Sequence, residues 1–349
     1  LGDASIIIDD PAGTNRLAVD DMALQNGDLE YHDGLDDDTL EFGTSFGETS
    51  EFWFKAYGGT NLLYFDEGAL KNGIFEFARA GASSSNTIVL ENDFGQGATI
   101  EIDNWTNDID TGSFLLDAKD GFASSSGKFD FYGGPKTNSI FFENGFVSDG
   151  GVADIFAGWA ASGTIFQTHD GAAQDGGEIK YHGGPGQDIL VFGDDLALQG
   201  GSVTIKLGNA SINQSGGSNV VDQTADQVNF LGSVGDPIDT NAISDSTEQA
   251  AVSITNFGAG DYISLQSMTD VNDLTITPGS YGLHNVKNSS ETINFNVYVE
   301  EGSLSVVGPG TATGVALVNS MALPMPPVTI SFAASSISSL LLIPSDTLI

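Results

Sequence analysis

The stretch GGPGQDILVF, residues 183–192, decides how the chain reads. A glycine-rich turn leads through Asp188 into a segment whose apolar residues, Leu190 and Phe192, stand at alternate positions. Period-2 alternation marks a strand with one buried face. The same phrase occurs seven times earlier. Its first apolar column reads Leu17, Leu40, Leu63, Ile88, Phe114, Ile140, Ile165, Leu190, in steps of 23, 23, 25, 26, 26, 25 and 25 residues. Its second column reads Val19, Phe42, Phe65, Leu90, Leu116, Phe142, Gln167, Phe192. Self-similarity at such a period is the signature of a stacked repeat, so the chain is expected to be all-β: a parallel β-helix of about 25 residues per coil.

Two residues ahead of the first apolar column stand Asn15, Asp38, Asn61, Asn86, Gly112, Asn138, Gly163 and Asp188. Gly, Asn and Asp enter φ > 0 at least cost, so this column predicts a left-handed kink in every coil. Where Asn stacks on Asn, it also predicts amide hydrogen bonds from coil to coil.

Each coil carries a second strand, LEYH (29–32), EFWF (51–54), IFEF (74–77), TIEI (99–102), KFDF (128–131), ADIF (153–156), EIKY (178–181) and TIKL (204–207). Between the two strands a lone apolar residue recurs at Leu24, Phe46, Leu70, Phe94, Phe122, Phe146 and Leu198, which predicts a short third face with one inward side chain. Residues 1–208 are therefore read as the repeat domain. Residues 209–250 are a polar run with a weak echo at Asp226, Val228 and Phe230, read as a degenerate coil and linker. Residues 251–349 are read as a smaller antiparallel β module ending in an apolar tail. A buried strand, an assembly strand or an export signal would each explain that tail.

Acidic residues outnumber basic ones 48 to 10, a formal charge of −38. That balance argues against nucleic acid or an anionic membrane surface as a partner and makes cations the expected ones. No cysteine is present, so neither disulfides nor thiolate metal sites contribute. The apolar stretches are too short for a membrane-spanning helix. The first residue is Leu, which is read as processing or an incomplete start.

Residues 183–191 fit G-G-x-G-x-D-x-U-x, in which Gly184, Gly186 and Asp188 let backbone carbonyls and a carboxylate converge on calcium. DGLDDDTLE, residues 33–41, follows the pattern with Asp33 and Asp36 at glycine positions and Asp38 at the aspartate position. GGPKTNSIF, residues 133–141, follows it with Asn138. SITNFGAGDYISL, residues 253–265, is similar to the stretch that commonly follows such nonapeptides. Together these segments resemble the repeats-in-toxin family of calcium-dependent secreted proteins. The resemblance implies Ca²⁺, an extracellular or cell-surface location, and type I export with an uncleaved C-terminal signal, which the terminal SDTLI suits. The nonapeptides lie one per coil here, where the family sets them in tandem.

A second acidic column follows the strand at Asp20, Asp66, Glu91, Asp117 and Glu143, with Asp21, Glu67, Asp194 and Asp195 beside it. Carboxylates one strand apart repel by about 3 kcal/mol at an effective dielectric near 20, so the stripe is either a solvated acidic edge or a set of cation ligands. The metal candidates are thus Asp33, Asp36, Asp38, Gly184, Gly186, Asp188, Asp194 and Asp195. No hydrolase or nucleotide-binding motif occurs, and the four histidines, His32, His169, His182 and His284, are scattered. The expected function is a calcium-stabilised structural unit of a surface layer or extracellular filament, polymerising through its end coils and the tail at residues 328–349. An adhesin or carbohydrate-binding module, engaging cell-surface polysaccharide, is the alternative; a β-helix polysaccharide enzyme ranks third.

Overall fold

The computed structural model describes residues 5–9, 12–79, 84–104, 112–134, 136–158, 163–208, 225–235, 251–258, 261–279, 282–299, 304–307 and 315–319. The chain winds as a parallel β-solenoid, each coil giving one strand to each of two long sheets. The first sheet stacks Ser5–Asp9, Asp28–His32, Glu51–Ala56, Ile74–Arg79, Thr99–Asp103, Lys128–Tyr132, Val152–Phe156, Glu178–His182, Ser202–Lys206 and Val252–Phe257. It continues through Asn294–Val299, Leu283–Asn288 and Leu274–Pro278. The second stacks Asn15–Val19, Asp38–Phe42, Thr60–Phe65, Ser85–Leu90, Phe114–Ala118, Asn138–Phe142, Thr164–Thr168, Ile189–Phe192, Gln227–Phe230 and Tyr262–Leu265, then Val315–Asn319 and Leu304–Val307. The polar run at residues 209–250 lies outside the described residues except for 225–235, where the echo at Val228 and Phe230 forms a paired coil. The segment read from the sequence as the start of the antiparallel module instead prolongs the parallel ladder through Tyr262–Leu265. Antiparallel pairing begins with the strands that follow it. The tail at residues 328–349 lies outside the described residues.

The register corrects the columns at two coils. Ile88 pairs with Leu116, not Phe114, and Ile140 pairs with Phe166, not Ile165. The second column correspondingly passes through Ala118 and Thr168, not Leu116 and Gln167. A slip of one residue turns a side chain to the other face of the sheet, so Ile165 and Gln167 lie outward and Thr164, Phe166 and Thr168 inward. Inside, aromatic rings stack from coil to coil: Phe42 on Phe65 at 4.6 Å, Phe52 on Phe75 at 5.5 Å, Phe94 on Phe122 at 6.0 Å. Such contacts add to the burial of the rings themselves.

The third face exists, and the left-handed kink belongs to it and not to the Asn/Asp column. Of the positions read into that column Gly163 alone is left-handed, with a φ of 68°; Asn15, Asp38, Asn61, Asn86 and Asn138 are not, and each lies in a strand. Left-handed residues come at every second position of the third face instead, for example Met22, Leu24 and Asn26, then Gly68, Leu70 and Asn72, then Gly145, Val147 and Asp149. Their amides bond to neighbouring coils, as in Leu70 N–H to the Phe46 carbonyl and Asn72 N–H to that of Gln96. Leu24, Phe46, Leu70, Phe94, Phe122 and Phe146 are buried as expected, but in the coil after residue 192 the buried leucine is Leu196 and not Leu198. The two glycines read into the column, Gly112 and Gly163, precede its true members Phe114 and Thr164. A Cβ on Gly163 would stand 1.8 Å from the Gln187 carbonyl oxygen, and one on Gly112 would stand 1.9 Å from that of Ser84.

A buried polar column and its carboxylates

At the start of several strands of the second sheet an inward polar side chain accepts from the backbone of the coil before. Asp38 Oδ1 takes the Asn15 N–H at 2.9 Å, and Asn61 Oδ1 takes the Asp38 N–H at 3.1 Å. Farther along, Asp188 Oδ1 takes the Thr164 N–H at 2.8 Å, Asp226 Oδ1 that of Asp188 at 2.8 Å, and Asp261 Oδ1 that of Asp226 at 2.9 Å. The expected amide ladder is present where Asn61 Nδ2 donates to Asn86 Oδ1 at 3.1 Å. Asn and Asp recur in this column because a short side chain with an acceptor oxygen satisfies a backbone donor that the corner would otherwise leave unpaired, while Thr164 donates its hydroxyl to the Ala157 carbonyl at 2.9 Å.

The sequence-derived metal candidates fall into three groups. In the turn at residues 33–38, Asp33 and Asp38 are brought together and buried, at 3% and 2% exposure. Tyr31 donates its hydroxyl to Asp38 Oδ2 at 3.0 Å, and Asn61 Nδ2 donates to Asp33 Oδ2 at 2.7 Å, while Asp33 Oδ1 has no hydrogen-bond partner. Burial, reinforced by Asp38, pushes the Asp33 carboxyl up to about 8, so the pair holds a proton at neutral pH. Asp36 is separate from them: it is exposed, and its Oδ2 takes the Gly13 N–H at 2.7 Å.

In the second group Gly184 and Gly186 are buried, and Gly184 N–H donates to Asp188 Oδ2 at 3.0 Å. Both oxygens of Asp188 therefore serve backbone donors. Its charge, with that of Asp226, also acts on Tyr181, whose hydroxyl is held well above its ordinary pKa chiefly by burial. In the third group Asp194 Oδ1 takes the Ser233 N–H at 2.6 Å and the Asp195 N–H at 2.9 Å, and Asp195 Oδ1 receives the Ser233 hydroxyl at 2.9 Å. The Ser233 hydroxyl, which also donates to Asp194 Oδ1, and then the Ser233 and Asp195 amides hold the Asp194 carboxyl below the usual range. Asp226 and Asp261, the stacked continuations of Asp188, were missed as site residues, although Asp226 stood in the weak echo and Asp261 in the GAGD turn.

The acidic edge is likewise built into the backbone. Asp21 accepts from Thr44 N–H at 2.9 Å, Asp120 from Asn144 N–H at 2.9 Å and Asp170 from Asp194 N–H at 2.8 Å, each one coil on. Lys119, not Asp117, occupies the next place in the stripe after Glu91, and its Nζ reaches Glu143 at 3.0 Å. Near the start of the solenoid Asp20, Asp21, Glu41, Asp66 and Tyr64 line an open recess of about 410 Å³. Burial and Glu91 push the Tyr64 hydroxyl up to about 12.

On the outer face of the first sheet, His32 and His182 do share a column, six coils apart. Its members Tyr132, Phe156 and His182 stack at 5.3 and 4.4 Å with ring planes within 7°. His182 Nε2 lies 3.1 Å from Asp154 Oδ1, and burial lowers the His182 pKa against the pull of Asp154.

Among the described residues no three His, Asp or Glu side chains group closely enough to hold a metal by themselves. None of the helices among the described residues is long and apolar enough to cross a membrane. No protein-family model, curated protein or solved structure matches the chain.

Proposed function

We propose that the chain is a structural building unit of an extracellular assembly, a surface layer or filament at the cell surface, made by joining copies through their end coils. What carries the reading is the uniform stacking. Parallel ladders on two faces, buried side-chain ladders between them and carboxylates locking one corner join every coil to the next, which makes a stiff rod of the coils. A charge of −38 keeps such rods soluble until their ends meet. Sedimentation velocity across a wide concentration range tests this: mass that grows with concentration supports it, and a monomer at every concentration refutes it.

Calcium belongs to the proposal in a narrow form. Asp33 and Asp38 supply hard oxygen ligands, one of them without a hydrogen-bond partner, and the ion would complete its shell from backbone carbonyls of the same turn and displace the shared proton. Both oxygens of Asp188 and Oδ1 of Asp194 already serve backbone donors, and these are secondary places for it. Export by the type I route through the C-terminal residues stays a proposal resting on the resemblance alone.

One observation favours the second reading, a carbohydrate-binding module. The Tyr132–Phe156–His182 row, with Asp154 beside it, sets ring edges and polar groups along one outer face. If it binds polysaccharide, Phe156→Ala abolishes retention on an immobilised glycan without changing the melting temperature.

A further inference from the structure

The residues that only partly enter the core lie mostly at the two ends. They are Ile6, Ile8, Leu17, Val19 and Ala23 in the first coil, Val271, Leu274, Ile276 and Leu304 in and beside the last strands, and Ala251 before Val252–Phe257, farther in. Between those ends the inward residues are closed off by the coil above and below. At one pole the first sheet ends on Ser5–Asp9 and the second on Asn15–Val19. At the other they end on Leu274–Pro278 and Leu304–Val307.

Strand direction links the poles. Asn294–Val299 runs parallel to the solenoid strands, Leu283–Asn288 reverses, and Leu274–Pro278 reverses again. In the second sheet Val315–Asn319 reverses and Leu304–Val307 reverses back. Both terminal edges thus recover the direction of the first coil. Register is kept as well: the inward column that begins at Ile6 ends at Ile276, and the one that begins at Leu17 ends at Val306.

We propose that a second copy of this chain docks head to tail, the Leu274–Pro278 and Leu304–Val307 edges of one molecule pairing in parallel with the Ser5–Asp9 and Asn15–Val19 edges of the next. A single translation along the solenoid axis then satisfies both sheets at once and sets Ile6 against Ile276 and Leu17 against Val306. Unpaired strand edges are templates for just this addition. Charge is compatible with the same arrangement. The edge strands of the first pole hold Asp9 and Arg16, the latter paired with Glu41 of the next coil, and those of the last pole hold no charged residue, so head-to-tail pairing stacks no like charges on one another. The inference rests on the assembly reading above and names its interface.

The chain has no cysteine, which makes engineered pairs unambiguous. Ile7 is 62% exposed and points outward, and continuing the columns sets it opposite Thr277, with Thr275 two residues away. Ile7→Cys and Thr277→Cys proteins are oxidised alone and mixed, then separated without reductant. Covalent dimers in the mixture and none in either variant alone are expected, with weaker dimers when Thr275→Cys replaces Thr277→Cys. Self-linking of Ile7→Cys means a head-to-head joint and overturns the proposal. No cross-link in any mixture, while sedimentation still shows growing mass, overturns this interface but leaves the assembly reading standing. Monomers throughout overturn both. Cross-links that form only after residues 328–349 are deleted show that the tail covers a pole, and they also overturn the proposal.

Discussion

The middle coils and the two poles are built from the same residues in the same alternation, yet they differ in one respect. Phe142 in the middle is covered on both sides, with its ring 3.8 Å from that of Phe146, while Ile8 in the first coil has, among the described residues, a neighbouring strand on one side only. In a solenoid the core is a property of the contact between repeats and not of the repeat, so a side chain of fixed chemistry contributes according to what stands above and below it. The sharpest way to break this comparison is Phe142→Ala against Ile8→Ala in dilute protein. The first is expected to cost about 3–5 kcal/mol and the second well under half of that, read from denaturant midpoints. Equal losses would mean that the first pole is covered in the monomer.

Two carboxylates of the polar column sharpen the comparison further. Asp188, fully buried, satisfies the Thr164 and Gly184 amides, so Asp188→Ala leaves two buried donors unpaired and is expected to cost about 2–5 kcal/mol. Asp33 is buried with an oxygen that has no hydrogen-bond partner, and its raised pKa makes its contribution depend on pH. Its folded-state pKa of about 8 lies above its unfolded value, so the folded chain holds the extra proton between the two. The stability it contributes is full below about pH 4 and is lost as pH rises towards 8. Asp33→Asn should flatten that fall in melting temperature, and wild-type and variant curves that stay parallel across the window would contradict the shared proton. Calcium should act at the same place: adding it raises the melting temperature of the wild type most near pH 8, and an unchanged curve in excess chelator removes the ion from the account. The smallest expected effect is at the third face, where exposed Asp149 has a φ of 53°. Asp149→Gly should raise stability by a few tenths to about 1 kcal/mol by relieving the left-handed backbone, read as a small gain in midpoint.

The two strands per coil and most of the core were legible because Leu, Ile and Phe alternate there without interruption, as in Leu40 with Phe42 and Ile140 with Phe142. The register failed where that rule had two answers. In TIFQT both Ile165 and Phe166 are apolar, and the inward flanking residues are threonines, so nothing in the pattern marks Phe166 as the inward one. The kink was placed on the wrong column because Asn and Asp suit both a left-handed turn and a buried acceptor role, and only the backbone of the neighbouring coil distinguishes them. Of the candidate site, the presence of Asp33 and Asp38 in one turn was legible in the sequence, but their pairing and the engagement of Asp188 were not. Its partners Thr164 and Asp226 lie one coil away on either side, at separations of 24 and 38 residues, and no local motif reports them.

Electron microscopy of the whole protein, over increasing concentration and with and without calcium, tests the central claim most directly. The account predicts unbranched rods one solenoid wide whose length grows with concentration. Discrete particles of single-chain length under every condition would contradict it.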